Sequence, residues 1–124
     1  MNDSFLIHEE DMLKDEHLPV VVFYGVISDK NEFLRVIEVL SNGVGFGVDL
    51  ADCSFPSDVE VESDMFEDGV EFSLDNGEAV IISYEEFYYY LKKACVNYLS
   101  KYPTEKDTIE RILEKVRKRY NISE

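Results

Sequence analysis

Apolar residues recur with the three- and four-residue spacing of an amphipathic helix in three segments of the chain. The first segment follows Ser28-Asp29, either of which can cap a helix, and ends at Asn42-Gly43, a pair typical of a helix C-terminus. The predicted buried stripes are Phe33, Val36, Ile37 and Leu40 in the first helix; Tyr84, Phe87, Tyr88, Leu91, Ala94, Cys95, Tyr98 and Leu99 in the second; and Ile109, Ile112, Leu113, Val116 and Tyr120 in the third.

The second and third helices have clear boundary signals. Ser83 is followed three residues later by Glu86, which completes a capping box. Pro103 ends the second helix, since proline has no backbone N–H and cannot continue a helix. Thr104 with Asp107 then begins the third.

Between the first and second helices the pattern changes to the two-residue alternation of β-strands. Residues 43–50 (GVGFGVDL) and 69–74 (GVEFSL) each place apolar side chains on one face, and residues 58–62 (DVEVE) alternate valine with acids. Residues 75–77 (DNG) predict a tight hairpin turn, after which residues 78–83 (EAVIIS) form a return strand that is apolar on both faces. The side chains expected to face the core are Val44, Phe46, Val48, Leu50, Val70, Phe72 and Leu74.

One further segment, residues 18–27 (LPVVVFYGVI), is apolar on both faces and rich in valine. Such a run predicts a central strand covered on both sides. Residues 1–17 are polar and acidic, and we expect a loose N-terminal arm or a short helix there. The order β-α-β-β-β-β-α-α predicts a single α+β domain, residues 1–124, with a mainly antiparallel β-sheet of four to five strands packed with helices.

Composition fits one globular domain. The chain has 124 residues, 45% of them apolar, with eight Phe and eight Tyr, which is enough to build a core. It has no apolar run of about 18 residues and no basic segment leading into an apolar one, so we expect neither a membrane span nor a secretory signal. We therefore expect a cytoplasmic protein whose Cys53 and Cys95 are buried, reduced thiols.

Acidic residues are concentrated in the middle of the chain. The net charge is −15, and residues 36–91 carry fourteen acids and no Lys or Arg. Proteins that bind nucleic acids need clustered basic residues to displace counterions, so this distribution argues against direct binding of DNA or RNA. The basic residues Arg117, Lys118 and Arg119 are expected to complement the negative C-terminal end of their own helix.

The densest acidic stretch, residues 57–72 (SDVEVESDMFEDGVEF), has two interpretations. A solvated rim would keep the protein soluble, whereas a surface shaped for a basic partner would also steer that partner's approach. We take the second as the hypothesis. The candidate partner-binding carboxylates are Asp58, Glu60, Glu62, Asp64, Glu67, Asp68 and Glu71, together with Asp75 from the following turn.

Two tyrosines lie off the buried stripe of the second helix. Tyr89 and Tyr90 are expected beside Glu85, Glu86 and Lys93. Exposed tyrosines next to charged residues are typical anchors of protein interfaces, which makes both candidates for partner binding. The alternative is burial under the final helix or under the N-terminal arm.

The residue types that carry catalysis are sparse. His8 and His17 are the histidines of the chain, and no pair of carboxylates is distinguished by its surroundings, so we predict no catalytic residue, no cofactor and no enzymatic activity. The glycines of residues 43–50 have two-residue spacing and are not followed by Lys-Ser or Lys-Thr. Close packing by a neighbouring element therefore explains them better than a phosphate loop does.

A calcium loop is the main alternative for the acidic stretch. Asp58, Glu60, Glu62 and Asp64 have the alternate spacing of an EF-hand, which leaves a weak site open. However, Ser63 occupies the position of the central glycine, and the twelfth position is Gly69 rather than Glu. We therefore predict no metal site.

Three quoted segments carry a resemblance to a known family: FYGVISDKNEFLRVIEVLSNGVGFGVDLADCSFP, FEDGVEF and ISYEEFYYYLKKACVNYLSKYP. Together, over residues 18–112, they resemble the small immunity proteins of bacterial contact-dependent growth inhibition systems. The resemblance rests on the overall pattern and contains no catalytic signature.

The resemblance implies a cytoplasmic protein that binds and neutralises the toxin domain of a large exported protein of its own strain. Many toxins of this kind are ribonucleases, so it implies a basic partner, with no direct contact to nucleic acid or membrane. The acidic composition fits this expectation, since carboxylates can occupy a cleft built for phosphates. The alternative is an acidic adaptor or a DNA-mimicking regulator with several partners.

Overall fold

In the computed structural model, which describes residues 6–7, 9–27, 30–47, 50–55 and 69–122, two helices precede a β-sheet and two follow it. This confirms the predicted α+β class and the antiparallel sheet, while the element order is α-α-β-β-β-β-α-α. The helices are α1 (Leu18–Val26), α2 (Lys30–Ser41), α3 (Tyr84–Lys101) and α4 (Lys106–Tyr120). The strands are β1 (Phe46–Gly47), β2 (Ala51–Ser54), β3 (Val70–Leu74) and β4 (Ala79–Ile82). One-turn 3₁₀ helices lie at Glu9–Asp11, Asp15–His17 and Pro103–Glu105.

The four strands of the described residues form a meander in which each strand is antiparallel to the next along the chain. In register, Cys53 lies across from Phe72, and Phe72 lies across from Val80. Because side chains alternate along a strand, this register separates two faces. The inner face, which is buried or partly buried, consists of Phe46, Ala51, Cys53, Val70, Phe72, Leu74, Val80 and Ile82.

Leu18–Val26 form α1, so the prediction of a central strand at residues 18–27 is wrong. The buried positions Val20, Phe23, Tyr24 and Ile27 have helical spacing, and Val26 is 37% exposed. Pro19 lies in the first turn, where its missing N–H breaks no helical hydrogen bond. The prediction failed because a short apolar run has the same composition in a buried helix as in a buried strand.

α1 lies on the inner face of the sheet instead of within the sheet. The ring of Phe72 in β3 contacts Phe23 at 5.4 Å and Tyr24 at 6.4 Å between centroids. From the next layer, Phe87 of α3 contacts Phe55, which follows β2, at 5.5 Å. These aromatic contacts belong to one core of buried apolar side chains between the inner face and the helices.

The strand predicted at residues 43–50 begins later than expected, since residues 43–45 are not in a strand. Gly43 has φ +76 and its N–H donates to the carbonyl of Leu40, so it ends α2, and the described part of β1 is Phe46–Gly47. Val44 and Leu50 are about half exposed, which contradicts their predicted place in the core. Val48 lies outside the described residues.

A side chain of a neighbouring element lies close to each of two glycines, as predicted. A Cβ atom on Gly43 would lie 2.8 Å from Nε of Arg119, and one on Gly47 would lie 2.6 Å from Oδ1 of Asp52.

The three amphipathic helices and the hairpin are confirmed. Ser83 and Glu86 form the reciprocal bonds of the capping box, at 3.0 and 2.9 Å. The third helix begins at Lys106 after a 3₁₀ turn, two residues later than predicted. In the hairpin, Gly77 has φ +99, and the Leu74 N–H donates to the Glu78 carbonyl at 2.8 Å. The predicted stripe residues of α2 and α4 are buried, apart from the partly buried Tyr120.

Both cysteines are buried thiols, as predicted. Burial raises the pKa of Cys95 far above its ordinary value, so this residue stays protonated and behaves as a small apolar side chain.

The hydroxyl of Tyr24 is a costly feature of the core. Tyr24 is fully buried, and its Oη atom has no hydrogen-bond partner among the described residues. Burial raises the pKa of Tyr24 well above its ordinary value, so the group stays neutral. A buried hydroxyl without a partner costs about 1–3 kcal/mol of folding free energy.

Replacing Tyr24 by Phe should therefore leave the free energy of unfolding unchanged or raise it by about 1 kcal/mol. Tyr88→Phe is the matched control, because the hydroxyl of Tyr88 accepts a hydrogen bond of 2.8 Å from Arg117 and its loss should destabilise the protein by about 1 kcal/mol. Urea unfolding of the three proteins measures both effects. A loss of stability in Tyr24→Phe as large as that in Tyr88→Phe would show that the Tyr24 hydroxyl is satisfied.

Candidate functional site

The sheet has a second face, the outer face, which points away from α1. Two cross-strand rows of the register define it: Ser54, Glu71 and Ile81 in one, and Gly47, Asp52, Ser73 and Ala79 in the other. Each of these residues is at least partly exposed. Antiparallel sheets are often covered on one face only, so the outer face is a broad surface open to solvent.

The outer face is acidic. Asp52 is exposed and Glu71 is partly exposed, and the turn between β3 and β4 adds the exposed Asp75. Glu78 is also exposed, but it lies across from the inner-face residue Leu74 and therefore belongs to the edge of the sheet. All of these strands and turns fall within the segment that has no Lys or Arg, residues 36–91. The negative charge of the face is therefore not balanced by a basic residue of the sheet itself.

Five carboxylates elsewhere in the described residues are in ion pairs. Ion pairs with N–O distances of 2.8–3.8 Å link Arg35 to Glu32, Lys93 to Asp11, Lys106 to Glu110, Lys115 to Glu38 and Lys118 to Glu114. All of them involve a helix, and none includes Asp52, Glu71, Asp75 or Glu78. The described ion pairs thus lie on the helices and the N-terminal segment, while the carboxylates of the outer face are in none of them and keep their negative potential.

The predicted acidic stretch is described only at its end. Glu71 lies on the outer face, while Asp58, Glu60, Glu62, Asp64, Glu67 and Asp68, together with the strand predicted at 58–62, lie outside the described residues. Asp75 lies beyond the opposite end of β3, about 13 Å from Glu71 along the strand at about 3.3 Å per residue. The structure therefore brings Glu71 and Asp75 to the same face, but not next to each other.

Among the described residues, two open cavities border the sheet. One of about 300 Å³ lies at the start of β4 and is lined by Asp15, Glu16, Leu18, Pro19, Glu78 and Ala79. The other, of about 220 Å³, lies beside β1 and β2 and is lined by Gly45, Phe46, Gly47, Asp52, Cys53 and Ser54. Each has at least one carboxylate in its wall. Both are large enough to take a long side chain of a partner.

The prediction that Tyr90 is an exposed anchor is wrong. Tyr90 is fully buried, because the N-terminal segment crosses α3 and covers it. Its hydroxyl accepts a hydrogen bond of 2.8 Å from the Leu13 N–H and shares another of 2.8 Å with Nδ1 of the buried His17. The alternative interpretation, burial under the N-terminal arm, is confirmed for this residue.

Tyr89 is partly buried beneath the same segment. Its hydroxyl donates to the carbonyl of Asp11 at 2.8 Å. Nearby, the Asn97 side chain donates to the carbonyl of Leu6 at 2.9 Å, and Leu6 and Ile7 are buried. The polar side chains of this part of α3 therefore hold the N-terminal segment in place.

Burial raises the pKa of Tyr90 above its ordinary value, and the hydrogen bond from Leu13 lowers it by a smaller amount. The Tyr90 hydroxyl therefore stays neutral and links the Leu13 N–H to the Nδ1 atom of His17.

The described residues contain no group of three or more His, Cys, Asp or Glu side chains placed to hold a metal ion. The segment with EF-hand spacing, residues 58–69, lies almost entirely outside the described residues. No helix of the described chain is long and apolar enough to cross a membrane.

Sequence reasoning missed three residues of the outer face: Leu50, Asp52 and Ile81. Asp52 alternates with Ala51 and Cys53, which is a strand signal, but the segment is short and holds a single acid. Ile81 belongs to a strand with apolar residues at consecutive positions, so the pattern does not show which of them face solvent. Its 46% exposure follows from the position of β4 at the edge of the sheet.

The model of one protein family, described as CDI immunity protein, matches residues 9–113. Among solved structures, the crystal structure of an immunity protein, NMB0503 from Neisseria meningitidis MC58, is similar with a TM-score of 0.73. The similarity covers 93% of this chain and 99% of that chain at 18% sequence identity, and it shows a shared fold. No curated protein matches the chain.

Removing the Tyr90 hydroxyl should weaken the attachment of the N-terminal segment. In Tyr90→Phe, the Leu13 N–H and the Nδ1 atom of His17 lose their shared partner, which should lower the free energy of unfolding by about 1–3 kcal/mol. Tyr89→Phe is the control, because it removes one partly buried bond and should cost about 1 kcal/mol or less. Urea unfolding measures both, and equal stability of Tyr90→Phe and wild type would contradict the assignment.

Proposed function

The chain belongs to the CDI immunity protein family, and on this premise we propose that it binds and neutralises the toxin domain of a contact-dependent growth inhibition system in the cytoplasm. The toxin is a basic domain, and a nuclease fits best. The protein acts by binding alone, with no catalysis, cofactor or metal ion. The observation that supports this most directly is the acidic outer face of the sheet, whose carboxylates are in none of the described ion pairs and whose strands contain no Lys or Arg.

Electrostatic complementarity is the physical reason to expect a basic nuclease domain as the partner. A nuclease must present a basic cleft to the phosphates of its substrate, and a surface rich in carboxylates can occupy that cleft. Attraction between opposite fields raises association rate constants to about 10⁸–10⁹ M⁻¹s⁻¹ at low salt. Fast association protects the cell when the toxin arrives already active.

The proposed contact residues divide by position. Asp58, Glu60, Glu62, Asp64, Glu67 and Asp68 belong to the chain that connects β2 to β3, and Glu71 and Asp75 belong to β3 and its turn. Carboxylates at the rim of the interface act mainly on the association rate. Those that lose their solvent in the complex hold it together, and truncating one costs about 2–5 kcal/mol of binding free energy. Tyr89 is not proposed as an anchor, since its hydroxyl holds the N-terminal segment.

Neutralising three acids of the connecting stretch, as Asp58→Asn, Glu60→Gln and Glu62→Gln, should slow association with the toxin domain by roughly tenfold at low salt and flatten its salt dependence. The fold should survive, because relief of repulsion does not destabilise it. The measurement is stopped-flow association with the purified toxin domain, at low and high salt.

A control triple variant separates local placement from total charge. Asp107→Asn, Glu110→Gln and Glu114→Gln change the net charge by the same amount at exposed positions of α4. This variant should associate nearly as fast as wild type. Identical rates and salt slopes for all three proteins would show that the acids are a solvated rim and that the interface lies elsewhere. Absence of any binding by wild type would refute the proposed function itself.

A further inference from the structure

The outer face carries exposed apolar side chains among its carboxylates. Ile81 is 46% exposed and lies directly across from Glu71 in the register. Leu50, one residue before β2, is 49% exposed, and its carbonyl accepts the N–H of Asp75. By the alternation that places Asp52 outward, Leu50 also lies on the outer side. Apolar side chains surrounded by polar and charged ones are the usual composition of a protein–protein interface.

We infer that the toxin domain docks on this outer face, with Leu50 and Ile81 in apolar contact and Asp52 and Glu71 facing its Arg or Lys side chains. The inference rests on the proposed function and assigns the site within it. The partner is a protein surface with basic side chains around a small apolar centre.

Charge complementarity selects this partner. In the described residues, each ion pair joins residues of a helix or the N-terminal segment, and none reaches the sheet. Asp52 lies across from Ser73, so Asp52 and Glu71 are diagonal neighbours, at roughly 7–8 Å between backbone positions. Two basic side chains of one partner segment can reach both carboxylates. An acidic or neutral partner would leave them buried and unpaired, which is costly.

The cavity at the start of β4 lies at the edge of the sheet, between β4 and the start of α1. Its walls combine the apolar side chains Leu18 and Pro19 with the carboxylates Asp15, Glu16 and Glu78. A Lys or Arg side chain can lay its aliphatic stem on the apolar wall and place its charge among the carboxylates. This cavity, with its volume of about 300 Å³, is therefore a receptor for one basic side chain at the edge of the interface.

Two pairs of variants test the inference. Ile81→Ala should weaken equilibrium binding of the toxin domain by about tenfold, as truncation of a central apolar contact does. Its control is Val96→Ala on α3, which removes a side chain that is 56% exposed and should bind as wild type does. Asp52→Lys should slow association at low salt by about tenfold or more, while Glu110→Lys on α4, with the same change of charge, should have little effect.

Calorimetry and stopped-flow kinetics with the purified toxin domain give the affinities and rates, and thermal unfolding verifies that each variant is folded. If wild type binds and both outer-face variants also bind like wild type, the docking face is wrong while the proposed function stands. If Val96→Ala or Glu110→Lys has the larger effect, the interface lies on the helices. If wild type does not bind the toxin domain, the proposed function fails and the inference falls with it.

Discussion

Contact between α1 and the inner face of the sheet holds this fold together. Phe72, in the middle of β3, contacts Phe23 and Tyr24 of α1, and it pairs in register with residues of both neighbouring strands. A short antiparallel sheet is not stable in water unless one face is buried, and α1 supplies much of the apolar surface that buries this one. Because α1 takes the inner face, the outer face is left for solvent or for a partner. The candidate site follows from this arrangement, since a sheet covered on one side exposes alternate residues of every strand.

The distribution of charge follows the same division. Basic residues are found on the helices and near the ends of the chain, where they lie close enough to neighbouring acids to form ion pairs. The sheet has none, and its carboxylates repel one another, which opposes folding. A surface of this kind is consistent with selection for binding rather than for stability. The aromatic core offsets the cost, because the large rings of α1, β3 and α3 bury extensive apolar area.

Several elements could be predicted from sequence because their signals are local. The capping box at Ser83, the glycine after α2 and the turn at residues 75–77 each need only a few neighbouring residues to form, and all are present. α1 could not be distinguished from a strand, since an apolar run buried on most sides has no period. The burial of Tyr90 depends on Leu13 and His17, which are more than seventy residues away in the chain. Asp52 was missed because its place beside Ser73 follows from strand pairing and not from local acid density.

The central claim is that the toxin domain covers the outer face of the sheet, and hydroxyl-radical footprinting tests it most directly. The method reports the solvent exposure of individual side chains, and Leu50, Ile81, Leu13 and Val96 are all about half exposed in the chain alone. Adding the toxin domain should strongly reduce oxidation of Leu50 and Ile81 while Leu13 and Val96 react as before. Protection of Val96 or Leu13, with Leu50 and Ile81 still oxidised at their original rates, would contradict the account.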